Sequence, residues 1–186
     1  MTDDPDLPLV LALQNGDDLA LNALMDRHRE PLFRFVFRHA GNETVARDVA
    51  QEAFVRAYFN IGKFRPGPRF STWLYRIALN LCHDHARSRH ARRERLHQPL
   101  AEPGADTPDA SARDPGEQAA LSEELAAARA AIDKLPRRLR EALLLTLAGE
   151  RSHREAAELL EVSVKTVETR VHRARKLLDA RLRSRR

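Results

Sequence analysis

Between Ala101 and Ala120 the chain has no Leu, Ile, Val or Phe, while Pro103, Gly104, Pro108, Pro115 and Gly116 punctuate it. Such a segment has no apolar surface to bury against the entropy of ordering it, so it reads as a flexible linker and not as part of a core. Fully extended, ~20 residues reach at most about 65 Å, which is under two turns of DNA at ~34–36 Å each. A chain of 186 residues interrupted in this way is expected to fold as two small domains, 8–96 and 119–183, joined by 97–118. All ten aromatic residues lie between Phe33 and Tyr75. One core is therefore aromatic-rich and the other is built from Leu, Val and Ala.

Charge follows the same division. The net charge is only +5, but Arg170 to Arg186 holds eight basic residues against Asp179, and Arg87 to Arg95 holds five arginines against Glu94. Between Gln98 and Gln118 five acids face Arg113 alone. Two basic regions separated by an acidic one suggest two polyanion-binding surfaces and a connector that avoids polyanion. Charge runs of this kind also occur as merely solvated faces, so the distribution needs support from motifs.

Other classes are excluded more directly. No run approaches the ~20 apolar residues of a membrane span. Asp3, Asp4 and Asp6 open the chain where a secretory signal would carry basic residues before an apolar stretch. With one cysteine, Cys82, no internal disulfide framework can form. These features favour a reducing, cytoplasmic setting without membrane contact.

Both halves are helical by periodicity, and strand alternation and hairpin-turn dipeptides are absent. An all-α fold follows. Leu21, Leu24, Met25, His28, Leu32 and Phe35 or Val36 form one stripe, with Pro31 marking a kink or junction. Val45, Val49, Ala53 or Phe54, Ala57 and Ile61 form a second after Gly41-Asn42. Ser71 could cap a third helix carrying Leu74, Ile77, Ala78 and Leu81. Leu121, Leu125, Ala128 and Ile132 form a fourth, ended by Leu135-Pro136, and Arg138 to Ala148 a fifth, stopped at Gly149.

Ser152-His153-Arg154-Glu155 is a capping box opening a short helix with Ala156, Ala157, Leu159 and Leu160. After Glu161-Val162, Ser163 can cap a longer helix whose buried stripe is Val164, Val167, Val171, Ala174 and Leu178. Its other face presents Lys165, Thr166, Thr169, Arg170, His172, Arg173 and Lys176. A short helix, a tight turn and a longer basic helix make a helix-turn-helix, whose second helix enters the DNA major groove. An ordinary helical hairpin with a charged face is the bland alternative. Glu161 occupies the turn position where glycine is common, which implies left-handed backbone strain or a different turn.

In the aromatic-rich half, Phe64-Arg65-Pro66-Gly67-Pro68-Arg69-Phe70 leads into Ser71-Thr72-Trp73-Leu74-Tyr75-Arg76 and on to Asn80. Aromatic rings beside cations suit single-stranded nucleic acid, whose unstacked bases need a face to stack on. The Asn80 amide, on a face with Arg76 and Thr72 and near His83, can read a base edge, as holding an extruded base requires. Aromatics at helical spacing are more often core, and Phe54 and Trp73 read that way too.

Asp48-Val-Ala-Gln51-Glu52-Ala-Phe54, followed by Phe70 to Asn80, resembles the second conserved region of bacterial extracytoplasmic-function (ECF) sigma factors. Leu135-Pro136, Arg140-Glu141, Glu155-Ala-Ala157, Ser163 and Thr166 to Arg175 resemble their fourth region. Ala156 stands where a branched aliphatic is usual and His153 where an aromatic often sits. The resemblance implies a dissociable promoter-specificity subunit of RNA polymerase. It implies that Asp48, Gln51 and Glu52, with Arg56, dock on the clamp helices of the largest polymerase subunit, and that the flap region is a further contact. It implies that Arg65, Arg69, Phe70, Ser71, Thr72, Trp73, Arg76 and Asn80 recognise and open the −10 element, with Arg65 and Arg69 on phosphates. Ser163, Lys165, Thr166, Thr169, Arg170, Arg173 and Lys176 would read the −35 element as duplex. An anti-sigma partner covering these faces is implied as well.

No cofactor or metal is expected. Cys82, His83, His85 and His90 are close in sequence, but a third convergent ligand is not evident. No glycine-rich phosphate loop or Ser-His-Asp arrangement supports an enzyme. The competing class is a helix-turn-helix repressor or activator that binds duplex DNA without polymerase. It would need a dimer matched to half-site spacing, and the sequence offers no clear dimer seam.

Overall fold

The computed structural model describes residues 4–96, 115–147 and 151–183, with side chains undescribed at 90–96 and 115–123. The chain divides into two compact units, Met1–Pro103 and Gly104–Arg186. Among the described residues every regular element is helical.

The first unit contains α1 (Leu7–Gln14), α2 (Leu19–Ala40), α3 (Glu43–Asn60), a 3-10 turn (Ile61–Lys63) and α4 (Phe70–Leu96). Sequence periodicity assigns no helix to α1. Its apolar residues run together instead of forming a clean stripe, although Val10 and Leu13 are buried. Pro31 lies inside one continuous α2 and marks no junction; its missing N–H leaves the Arg27 carbonyl without its usual helical donor. The break between α2 and α3 is as expected. Gly41 closes α2 at φ 70°, a left-handed conformation that glycine adopts without a Cβ clash. Asn42 then caps α3 by accepting from the Val45 N–H at 3.0 Å.

On α3, Ala46, Ala50, Ala53 and Ala57 are buried with Val49 and Phe54. Small residues along this face let α2 and α4 approach closely. The space is filled by Leu24, Leu32, Phe35 and Val36 from α2 and by Phe70, Leu74, Tyr75 and Ala78 from α4. Phe35 meets Tyr75 edge-on at 4.9 Å between centroids, a favoured aromatic geometry.

The second unit contains α5 (Pro115–Asp133), α6 (Arg137–Thr146), α7 (His153–Leu160) and α8 (Val164–Arg183). α5 begins at Pro115, inside the stretch 97–118 expected to be linker, so the apolar-poor segment continues into helix at its end. Residues 97–114 and the expected stop at Gly149 lie outside the described residues. The described core of this unit is aliphatic, with Leu135, Leu143, Leu144, Leu145, Leu159, Val167 and Val171 buried around Ala142, Ala156, Ala157 and Ala174. Glu141 is also buried and is paired with Arg137 Nε at 2.6 Å.

Candidate functional site

The capping box forms as its sequence requires. The Ser152 hydroxyl accepts from the Glu155 N–H at 3.2 Å, and Glu155 Oε2 accepts from the Ser152 N–H at 2.9 Å. α7 then ends on Glu161, at φ 55° and ψ 44°, the one non-glycine residue of positive φ among those described. Its N–H and that of Val162 both return to the Ala157 carbonyl, so the turn keeps the left-handed closure that glycine usually provides. Ser163 starts α8, its Oγ accepting from the Thr166 N–H at 3.2 Å and lying 2.8 Å from Thr166 Oγ1.

On α8, Val167, Val171 and Ala174 face the core, as the spacing requires. Val164 does not; it is exposed. A side chain in the first helical position leans past the helix end and finds no neighbouring turn to cover it. Ser163, Lys165, Thr166, Thr169, Arg170 and Arg173 line one shallow, open depression, while Lys176 lies beyond it, exposed further along the helix. The Thr169 hydroxyl donates to the Lys165 carbonyl at 2.8 Å. The surface is thus a cationic rim around short hydroxyl side chains, suited to phosphate oxygens and base edges of duplex DNA.

In the first unit, Asp48, Gln51, Glu52 and Arg56 are all exposed on α3. Arg56 Nε donates to Glu52 Oε1 at 2.8 Å, so part of this set is tied into an i,i+4 pair. Val55 and Phe59 continue the same face, and Phe59 is 78% exposed. The motif-based expectation leaves these two out. The signal for them is their 3-4 spacing from Asp48 and Glu52, off the buried Val49/Ala53/Ala57 stripe.

The residues expected at the −10 element separate into two groups. Phe70 and Thr72, also expected there, are 1% and 2% exposed and belong to the core, which leaves their side chains little surface to offer. Eight residues of helix rotate Thr72 away from Asn80, whereas Trp73, Arg76 and Asn80, at i, i+3 and i+7, stay on one face. Asn80 is exposed, and Ser71, Trp73 and Arg76 are half-buried. Trp73 packs edge-on against Phe64 at 5.5 Å. Arg65 and Arg69 are both exposed on the Pro-Gly-Pro loop. The Arg65 guanidinium donates to the Gly62 and Phe64 carbonyls at 2.6 and 3.0 Å, holding the loop's own backbone.

Ser71 does not cap α4. The helix begins one residue earlier, and the Phe70 N–H donates to Asp4 Oδ2 at 2.7 Å. The cap therefore comes from 66 residues away in sequence, where no local motif could reveal it. Cys82 is buried, and no cluster of three potential metal ligands occurs among the described residues. None of the described helices is long and apolar enough to cross a membrane.

Residues 24–92 match the family Sigma-70 region 2, and residues 125–178 match Sigma-70, region 4. The ECF RNA polymerase sigma factor SigW of Bacillus subtilis is 36% identical over 174 residues, covering 92% of this chain and 93% of SigW. The RNA polymerase sigma-H factor of Pseudomonas aeruginosa is 33% identical over 185 residues, covering 98% and 96%. Among solved structures, CnrH, in complex with the cytosolic domain of CnrY, aligns with a TM-score of 0.70 at 30% identity, covering 97% of this chain and 99% of CnrH. These relatives are initiation factors, which sets aside both an enzyme and a repressor acting without polymerase. The chain belongs to the extracytoplasmic-function RNA polymerase sigma factors, which bind core polymerase and direct it to promoters.

Proposed function

We propose that this sigma factor divides promoter recognition between two chemically different surfaces. The region 2 domain, 8–96, opens and holds the −10 element as single strand, and the region 4 domain, 119–183, reads the −35 element as duplex. The observation that carries this is the contrast between the surfaces. One sets Trp73, Arg76 and Asn80 along a single helix face beside an arginine-bearing loop. The other is the hydroxyl-lined, cationic depression of α8. Stacking and amide groups suit an unpaired base, whereas cations around a helix N-terminus suit phosphates and groove edges.

In this reading Asn80 contacts the extruded base, Trp73 supports it, and Arg69 and Arg76 meet the backbone. Asp48, Gln51, Glu52 and Arg56 dock on the clamp helices of the largest polymerase subunit, with the exposed Val55 and Phe59 extending the contact. Region 4 meets the flap region. The acidic 97–118 segment joins the domains along a path inside polymerase where its charge repels nucleic acid. The protein acts in the cytoplasm and is held inactive by an anti-sigma partner; CnrH, solved with the cytosolic domain of CnrY, supports control by a bound protein.

The test is in vitro transcription with purified core polymerase and start-site mapping. The wild-type chain is expected to confer start-site choice on sigma-free polymerase, and Asn80→Ala to lose activity on duplex promoters more than on a pre-melted template. Transcription by Asn80→Ala left equally intact on both would remove the base-pocket assignment. Asp48→Arg with Gln51→Arg is expected to abolish pull-down of core polymerase while leaving the helical circular-dichroism spectrum intact.

A further inference from the structure

The loop Arg65–Arg69 is exposed throughout, yet its two ends are fixed by one short N-terminal segment. At the start, Gln14 Nε2, in the last turn of α1, donates to the Ile61 carbonyl at 2.8 Å and to the Phe64 carbonyl at 3.1 Å. At the end, Asp4 Oδ2 accepts from the Phe70 N–H at 2.7 Å. Asp4 is itself held: its Oδ1 accepts from the Asp6 N–H at 3.1 Å. The Asp6 carboxylate pairs with Arg27 at 3.1 Å and His28 at 2.7 Å, both on α2. The His28 ring lies 5.7 Å from that of Phe70. Asp4 and Asp6 are 9% and 4% exposed, so these carboxylates are structural members and not solvated charges.

We propose that residues 4–14 form a brace whose positioning residues, Asp4 and Gln14, set the −10 loop and the start of α4 in register for base capture. The inference rests on the assignment of the −10 element to that loop and helix. Its physical basis is preorganisation. A five-residue exposed loop with glycine at its centre keeps conformational freedom there even between Pro66 and Pro68, and each conformation given up on binding DNA weakens capture of the extruded base. Fixing both ends beforehand removes much of that cost. An anionic cap at the N-terminus of α4 also orders the first turn of the helix from which Trp73, Arg76 and Asn80 project. A loosened brace would leave the bases readable but less well distinguished, because discrimination depends on where the reading groups are held.

The test uses the full chain with core polymerase and a duplex promoter selected by the wild-type chain from a random-sequence library. A companion set carries single-base changes through the −10 element. Asp4→Ala and Gln14→Glu are each expected to lower open-complex formation on the selected promoter by about tenfold, the first by losing a charge-assisted hydrogen bond and the second by setting a carboxylate oxygen against two carbonyls. They are also expected to narrow the activity ratio between the selected and changed promoters, with core-polymerase affinity unchanged. Asp4→Asn, which keeps one acceptor oxygen, should recover part of both losses seen in Asp4→Ala.

Gln14→Glu is nearly isosteric and half-buried, so it decides the matter if Asp4→Ala does not fold. Unchanged ratios in both variants would overturn the brace. So would activity and core binding falling in parallel, which would mark general destabilisation. Asn80→Ala separates the two ideas. If it narrows the ratios while the brace variants do not, the brace fails and the −10 assignment stands. If the brace variants narrow them and Asn80→Ala does not, the pocket assignment fails and the brace stands.

Discussion

Glu161 carries a side chain through a left-handed turn at φ 55°, where an L-residue pays roughly 1–2 kcal/mol against glycine. Glu161→Gly is therefore expected to stabilise the second unit by about 0.5–1 kcal/mol, the relief of strain less the added freedom of glycine in the unfolded chain. Chemical denaturation followed by circular dichroism would measure it, and a destabilisation would mean that the contacts of the Glu161 side chain outweigh the strain. Sequence left either strain or a different turn open at this position, because the capping box and Ser163 bound a short turn without glycine, and the φ of 55° decides for strain. The burial of Phe70 and Thr72 was not legible in the sequence. Both adjoin the residues proposed for the −10 element, and only the packing of α4 on α2 and α3 separates residues that point inward from those that point out.

At the scale of the element, α8 combines a packed Val167/Val171/Ala174 side with a cationic one, and removing a single cation should act on affinity without disturbing the fold. Arg170→Ala or Arg173→Ala is expected to weaken duplex binding and to flatten the dependence of log K on log salt by about 0.9 for each phosphate no longer neutralised. Fluorescence anisotropy across a salt series reads both quantities. Ser163→Ala should differ in kind. It removes the α8 cap seen at Ser163 Oγ, costing about 1 kcal/mol of stability with little change in slope, because no charge is removed. α4 offers the contrast. Its start is fixed by Asp4 from a distant part of the chain, so a local alanine scan of its first turn would miss the group that closes it.

Across the whole molecule, the two units are tied through a stretch whose sequence has nothing to bury, which gives the tether length little thermodynamic weight. Inserting six Gly/Ser residues between Gly104 and Ala105 is expected to leave start-site choice intact, since each doubling of a flexible segment costs only about 0.6 kcal/mol. Deleting residues 101–110 is expected to abolish use of both elements on one promoter, and start-site mapping distinguishes the outcomes. Sequence alone determined the helical class, the division into an aromatic and an aliphatic core, the helix-turn-helix with its capping box, and the family. The first three rest on periodicity, caps and composition, and the family on the resemblance of the Asp48–Phe54, Phe70–Asn80 and Thr166–Arg175 motifs. Tertiary structure decided which aromatics lie inside, gave α1 its place, and joined Asp4 and Gln14 to the two ends of a loop some 50 to 66 residues away. Interactions at that separation leave no periodic trace, because they depend on how three helices pack and not on what any one of them is made of.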